Sequence, residues 1–265
     1  TNASGSKGAR SSGPSPRPTS LTGTPSSRWT ATRRGPVFGP VSFVSDTPLT
    51  VIAGAPGSGR TPLLLTLAGR MRPSGGTASV LGDELPHDLR ALQRRAAIAG
   101  FHEIDDLEDT VTVAQTIAER RAWLAPWWAP KRRASETDVR AALAPSFTAP
   151  AGSAPTGGTL VRDLDELSRA RLQLALALLA EPELLVYDGA DRLQSEMDRA
   201  AIWATLARIA VTGVRVIASG TESAARTARV EAAAADVPFA VAWLTPAEAE
   251  TSPVSTLTAE QVSAR

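Results

Sequence analysis

Residues 49–71 read LTVIAGAPGSGRTPLLLTLAGRM. A short apolar run enters a glycine-dominated stretch, Gly54, Ala55, Pro56, Gly57, Ser58, Gly59, Arg60, Thr61 and Pro62, and a leucine-rich helical pattern follows at once. The spacing is that of the phosphate-binding loop, G-x-x-x-x-G-K-[ST], at every defined position except the lysine, where Arg60 stands. Glycine is needed there because the backbone must approach phosphate oxygens closely and aim several N–H groups at them, beside a helix N-terminus that favours anions. Thr61 offers its hydroxyl to Mg²⁺. Arg60 keeps the positive charge but exchanges a compact ammonium for a longer planar fork, which preserves attraction for phosphate and changes its alignment on the outer phosphates. Lys7 and Lys131 are the only lysines beside many arginines, so a general drift from lysine to arginine is consistent with the substitution.

Outward from this loop, apolar β-rich runs at 37–44, 49–53, 77–81, 96–101, 183–187, 214–218 and 239–244 alternate with helical patterns. Such alternation predicts an α/β fold built of βαβ units around a mostly parallel sheet. The interval from about 111 to 180 holds no good strand and several helical segments, Thr112 to Leu124 and Thr137 to Leu143 among them, and reads as a helical insertion in the α/β frame. Residues 1–28 are mostly Ser, Gly, Pro and Thr with scattered Arg and a single Leu, too little apolar surface to offset ordering entropy, so they read as a disordered basic arm. Residues 251–265 read as a shorter flexible tail.

At 265 residues the chain suits one large domain, at roughly 150 residues per domain, with room for an elaboration. Its 28 basic and 27 acidic residues nearly cancel, which argues against a general nucleic-acid binder. All charges before residue 35 are positive, so the body is slightly acidic and offers no duplex-binding face. The absence of cysteine excludes disulfides and thiolate metal sites, and two histidines, His87 and His102, cannot form a histidine cage. The most apolar run, 172–187, is interrupted by Gln173, Glu181, Pro182 and Glu183, so it is not a spanning helix. The chain is expected inside the cell, with any membrane role supplied through a partner.

The loop, the following LLLTLAGRMRPSGGTASVLGDEL (63–85) and a later strand together resemble the nucleotide-binding subunit of ABC transporters, over about residues 35–245. The resemblance implies a P-loop NTPase core in a nucleotide-binding domain at 29–250, a small antiparallel β-subdomain and an inserted helical subdomain. It implies ATP and Mg²⁺ as ligands, a transmembrane permease subunit as partner, and a homo- or heterodimer with another nucleotide-binding domain, peripheral on the cytoplasmic face of the cell membrane. AEPELLVYDGAD (180–191) matches the Walker B strand, which puts Asp188 beside Mg²⁺. The next residue is a glutamate in competent members and Gly189 here. Asp191, three positions beyond Asp188, is expected to point elsewhere.

Counting back from Pro182 places the signature motif at Leu164, Asp165, Glu166, Leu167 and Ser168, without its glycines. Asp165 and Glu166 are expected to stabilise a helix start rather than meet phosphate. Spacing puts Glu103 at the Mg²⁺-touching glutamine position, within a solvated acidic loop, and Thr221 at the switch-histidine position. Trp29 is the nearby candidate for adenine stacking, in an imperfect register. His102 reads as a surface residue. Trp123, Trp127 and Trp128 form an aromatic patch, read either as local core or as an anchor for the transmembrane partner that this arm faces in the family. Lys131, Arg132 and Arg133 read as a solvated edge. Two functions follow: an ATP-binding transporter subunit with slow or absent hydrolysis, a pseudo-ATPase, or a non-catalytic nucleotide-responsive scaffold or regulator of a membrane complex. A partitioning or DNA-maintenance ATPase is disfavoured by the helical insertion.

Overall fold

The computed structural model describes residues 41, 43–73, 75–130, 132–147 and 154–244. The basic arm, Trp29, Lys131 and the tail at 251–265 lie outside the described residues, as does most of the strand expected at 37–44. Of that run, Val41, Phe43 and Val44 are described and carry no regular structure, although Val41 and Phe43 are buried.

Among the described residues, five parallel strands form the main sheet: β1 (Leu49–Gly54), β4 (Ala96–Ala99), β5 (Leu184–Tyr187), β6 (Arg215–Gly220) and β7 (Phe239–Leu244), in the order β4-β5-β6-β1-β7. β1 is paired on both edges, by β6 and by β7, and packed elements cover its side chains on both faces, which explains why its sequence is apolar almost throughout. The period of two then divides the core. Leu49, Val51, Leu185, Tyr187, Val216 and Val241 face one layer, packed with Trp203 and Leu206, while Ile52, Leu184, Val186, Ile217 and Ala242 face the other, with Leu63, Leu64 and Leu67.

The first layer is made by α5 (Glu166–Leu178), α6 (Glu196–Val211) and α7 (Glu222–Ala234); the second by α1 (Arg60–Leu67), α2 (Leu89–Arg95) and a small antiparallel hairpin, β2 (Ala78–Val80) with β3 (Asp83–Leu85). The sequence reading anticipates β2 but assigns no strand at β3, whose three residues carry no alternation to betray it. Arg95 ties this hairpin to the sheet: Nη1 donates to Asp83 Oδ2 at 2.8 Å, and Nε and Nη2 grip Glu183, at the head of β5, at 2.8 and 2.9 Å. That bidentate grip raises the Arg95 pKa and depresses that of Glu183.

Helices α3 (Val113–Leu124) and α4 (Glu136–Leu143) lie where the helical insertion was expected, both opened by capping boxes, Thr112 with Gln115 and Ser135 with Asp138. They enclose their own cluster of Val113, Ile117, Val139 and Leu143 against Leu172 and Leu176 of α5. α5 therefore has two apolar faces, since Ala170, Leu174 and Ala177 pack on the sheet. It is the element through which the helical layer and the sheet share a core.

Candidate functional site

Strands β5, β6 and β1 are neighbours in a parallel sheet, so the segments leaving their C-terminal ends converge on one edge, where open α/β sheets bind ligands. From β1, Gly54 turns into the loop. A Cβ on Gly54 would stand 2.6 Å from Ser58 Oγ and 2.8 Å from the Leu244 carbonyl, so no side chain fits. Ser58 N–H donates to Ala55 O at 3.1 Å, and Gly57 and Gly59 adopt left-handed backbone, with φ of 79° and 89°. The chain then enters α1 at Arg60. Pro62 is tolerated in this first turn because its missing N–H would have no intrahelical acceptor there. Ser58 Oγ is buried and without a hydrogen-bond partner among the described residues.

From β5 comes Asp188, anchored by its own N–H to Ala99 O at 3.1 Å. Its Oδ2 accepts the Thr61 hydroxyl and its Oδ1 accepts the Ser219 hydroxyl, both in short contacts. One carboxylate thus joins the first turn of α1 to the end of β6. The register supports this, because Tyr187 pairs with Ala218, immediately before Asp188 and Ser219.

After Gly189 the chain makes a single 3₁₀ turn, Ala190–Arg192, and this turn corrects the expectation for Asp191. Asp191 points back to the loop: its Oδ2 accepts Arg60 Nη1 at 2.6 Å, and its Oδ1 accepts the N–H of Thr221 at 3.1 Å and the Thr221 hydroxyl at 3.2 Å. The pair is largely shielded, with 14% of the Arg60 side chain and 25% of Asp191 exposed. Thr221 also caps α7, accepting Ala224 N–H at 3.4 Å. Two carboxylates therefore bracket the loop, Asp188 on Thr61 and Asp191 on Arg60.

Gly189 has a steric reason. A Cβ there would lie 2.8 Å from Tyr187 Oη and 3.0 Å from its Cζ. Tyr187 is buried, and burial raises its phenol pKa. Behind it Asp105 accepts the Gly100 N–H at 2.7 Å, and burial pushes its carboxyl up to about 6.

The remaining expected residues fall as follows. Glu103 sits on an exposed turn at φ 63°, its N–H donating to Asp106 Oδ2 at 3.0 Å, and Ser219 is a further hydroxyl that the structure brings to Asp188. Sequence reading missed Ser219; its signal was a hydroxyl at the end of an apolar strand beside the Asp188 strand. Asp165 caps α5, accepting Ser168 N–H at 2.6 Å, and Glu166 accepts Gln194 N–H at 3.2 Å. His102 is 73% exposed, 3.5 Å from Asp106. Trp123, Trp127 and Trp128 are exposed rather than packed in a local core.

The residues present fit a magnesium–triphosphate pair. Thr61, Asp188 and Ser219 supply only oxygen, as a hard cation requires. The left-handed glycines and the helix N-terminus at Arg60 suit the anion.

Residues 43–192 match the family described as ABC transporter. Among curated proteins, the chain is 27% identical over 191 residues to the ribose import ATP-binding protein RbsA of Cereibacter sphaeroides, covering 68% of this chain and 36% of that one. It is 26% identical over 187 residues to the Nod factor export ATP-binding protein I of Cupriavidus pinatubonensis, covering 68% and 54%. The chain spans about a third to a half of the length of these relatives. Among solved structures, cbiO1 from Clostridium perfringens, part of the ABC transporter complex cbiONQ, superposes with a TM-score of 0.66 at 16% identity, covering 86% of this chain and 85% of that one. The dimeric bacterial ABC transporter cassette MJ0796 gives a TM-score of 0.63 at 13% identity, covering 92% and 100%.

Proposed function

The chain belongs to the ABC transporter family, and from that premise we propose that it is the ATP-binding subunit of a membrane transporter. It holds ATP and Mg²⁺ through residues 54–62, with Arg60 in the place of the usual lysine, and hydrolyses ATP slowly or not at all. The nucleotide-binding domain is assigned to 29–250, with its helical insertion at 111–180. The partners are a permease subunit and a second nucleotide-binding domain, at the cytoplasmic face of the membrane.

One observation carries this reading: Asp188 at the end of β5 bonds the Thr61 hydroxyl in the first turn after a loop with two left-handed glycines. The loop amides bind and orient phosphate. Thr61, Asp188 and Ser219 hold the cation by oxygen. Arg60, once released from Asp191, supplies the charge that meets the outer phosphates. Mg²⁺, when bound, neutralises phosphate charge. Water activation is the missing function, because position 189 carries no carboxylate and Tyr187 fills the space its Cβ would need.

A second reading, a non-catalytic nucleotide-responsive scaffold or regulator, is favoured by one specific contact, the capture of Arg60 by Asp191. Calorimetry with ATP, with and without Mg²⁺, followed by a turnover assay, separates the two. Binding lost in Arg60→Ala together with slow turnover abolished by Asp188→Ala supports the transporter ATPase. Binding without turnover fits both, and copurification from membranes then decides: a bound permease supports the transporter subunit, its absence the scaffold. No heat of binding under any condition sinks the nucleotide site itself.

A further inference from the structure

The helical layer ends in a face that the nucleotide reading does not use. Beyond the last turn of α3, the chain runs through Trp127 and Trp128, bracketed by Pro126 and Pro130, and then through Arg132 and Arg133 towards α4. Trp123, Trp127 and Trp128 are 78%, 92% and 70% exposed, which is extreme for indoles outside an interface. Trp127 and Trp128 meet edge to face, with centroids 5.8 Å apart. Two adjoining clefts, of about 640 and 530 Å³, open on this face; Arg132 and Arg133 line both, with Trp127 on the first and Trp123 on the second.

The charges beside these indoles are unevenly committed. Arg121 is taken by Asp138 at 2.8 Å, and Asp138 also accepts the Ser135 hydroxyl at 2.6 Å. Arg132 and Arg133 form no ion pair among the described residues, while Glu119 lines the second cleft. The face thus presents protruding indoles interleaved with two uncommitted guanidiniums. Indoles favour the headgroup level of a bilayer, where the apolar ring and the N–H both find their solvent, and arginine side chains reach from there to lipid phosphate. A protein partner would need deep pockets for three rings and its own carboxylates, whereas an anionic bilayer offers both layers without any matched shape.

We infer that the face formed by Trp123, Trp127 and Trp128 with Arg132 and Arg133 docks on the anionic phospholipid surface of a membrane, holding the helical layer against it. The docking is independent of nucleotide. It adds a direct lipid contact to whatever permease the chain engages.

The test is flotation of the full chain, without nucleotide, on phosphatidylcholine vesicles with and without roughly one-third phosphatidylglycerol. Binding is expected only with the anionic lipid. Trp127→Ala/Trp128→Ala and Arg132→Glu/Arg133→Glu should each weaken it by about tenfold or more, and added salt should weaken it further. An unchanged far-ultraviolet spectrum and an unchanged denaturant midpoint check that the variants fold. Bromine-labelled acyl chains should quench the wild-type fluorescence and quench the double tryptophan variant far less. The inference is overturned by equal binding to neutral vesicles or by no binding at all. It is also overturned if the variants bind like wild type, which would assign attraction to another surface such as the basic residues before position 35.

Discussion

Arg60 and Asp191, 131 positions apart in the chain, are joined by an ion pair of 2.6 Å that neutralises the one guanidinium in the glycine loop at 54–62. Asp191 in turn holds Thr221 by both backbone and hydroxyl, so the pair also fixes the start of α7. On the proposed function, a triphosphate entering the loop would compete with Asp191 for Arg60 and meet the negative charge of Asp191 besides.

Asp191→Asn should therefore bind ATP more tightly than the native chain. The amide can still accept from Thr221, but it no longer holds Arg60 by charge. A gain of about 1 kcal/mol, roughly fivefold in Kd by calorimetry, is expected for a partly shielded pair. Unchanged affinity would mean that Arg60 does not face the phosphates.

Asp188→Asn should remove the Mg²⁺ dependence of binding rather than binding itself, because the loop amides remain. The affinity for ATP with Mg²⁺ should fall by about tenfold or more, towards the affinity measured with a chelator. Ser219→Ala should act in the same direction but more weakly. If both variants keep the native response to Mg²⁺, the cation does not sit on this carboxylate.

Gly189→Glu should not restore turnover. A Cβ at 189 lies inside contact distance of Tyr187, so the substitution should destabilise the fold by roughly 1–3 kcal/mol, the usual range for overpacking. The clash is shared, so Gly189→Ala and Tyr187→Leu should be non-additive: in the Tyr187→Leu background, adding alanine at 189 should cost almost nothing further. Denaturant unfolding of the four proteins of that cycle provides the measurement, and strict additivity would remove Tyr187 as the cause.

Burial pushes the Asp105 carboxyl up to about 6. The folded protein then binds a proton that the unfolded chain has released, over roughly pH 4 to 6, so stability falls as pH rises through that window. Asp105→Asn keeps an acceptor for the Gly100 N–H and removes the charge. Its Tm should exceed the native value at about pH 7.5, corresponding to roughly 1–3 kcal/mol, and should converge with it near pH 4. Equal melting at both pH values would contradict the burial of a charged Asp105.

How much was legible in the chain depended on sequence separation. The loop at 54–62 was legible because its glycines act on the backbone where they stand, and β1 because a strand buried on both faces reads as a nearly continuous apolar run. Helices α3 and α4 came within one residue of expectation at their starts, since their capping boxes are local signals. The strand expected at 37–44 was misjudged where it is described: Val41 and Phe43 are buried by packing against β-sheet neighbours, not by joining a ladder. The same apolar composition serves both outcomes. For the Trp123 to Trp128 patch, composition left core and interface open, and exposure in the folded chain removes the first.

The sequence by itself determined the alternation of strands and helices, the glycine loop with its arginine, and the carboxylate closing β5, because each is written within a dozen neighbouring residues. Only the tertiary structure decided which partner each charged group takes. Asp188 meets Ser219 because β5 and β6 are adjacent in the sheet, and Asp191 turns to Arg60 because a 3₁₀ turn follows Gly189. Side-chain electrostatics act over a few ångströms of space, and that proximity is set by sheet order and loop geometry, which no local spacing encodes.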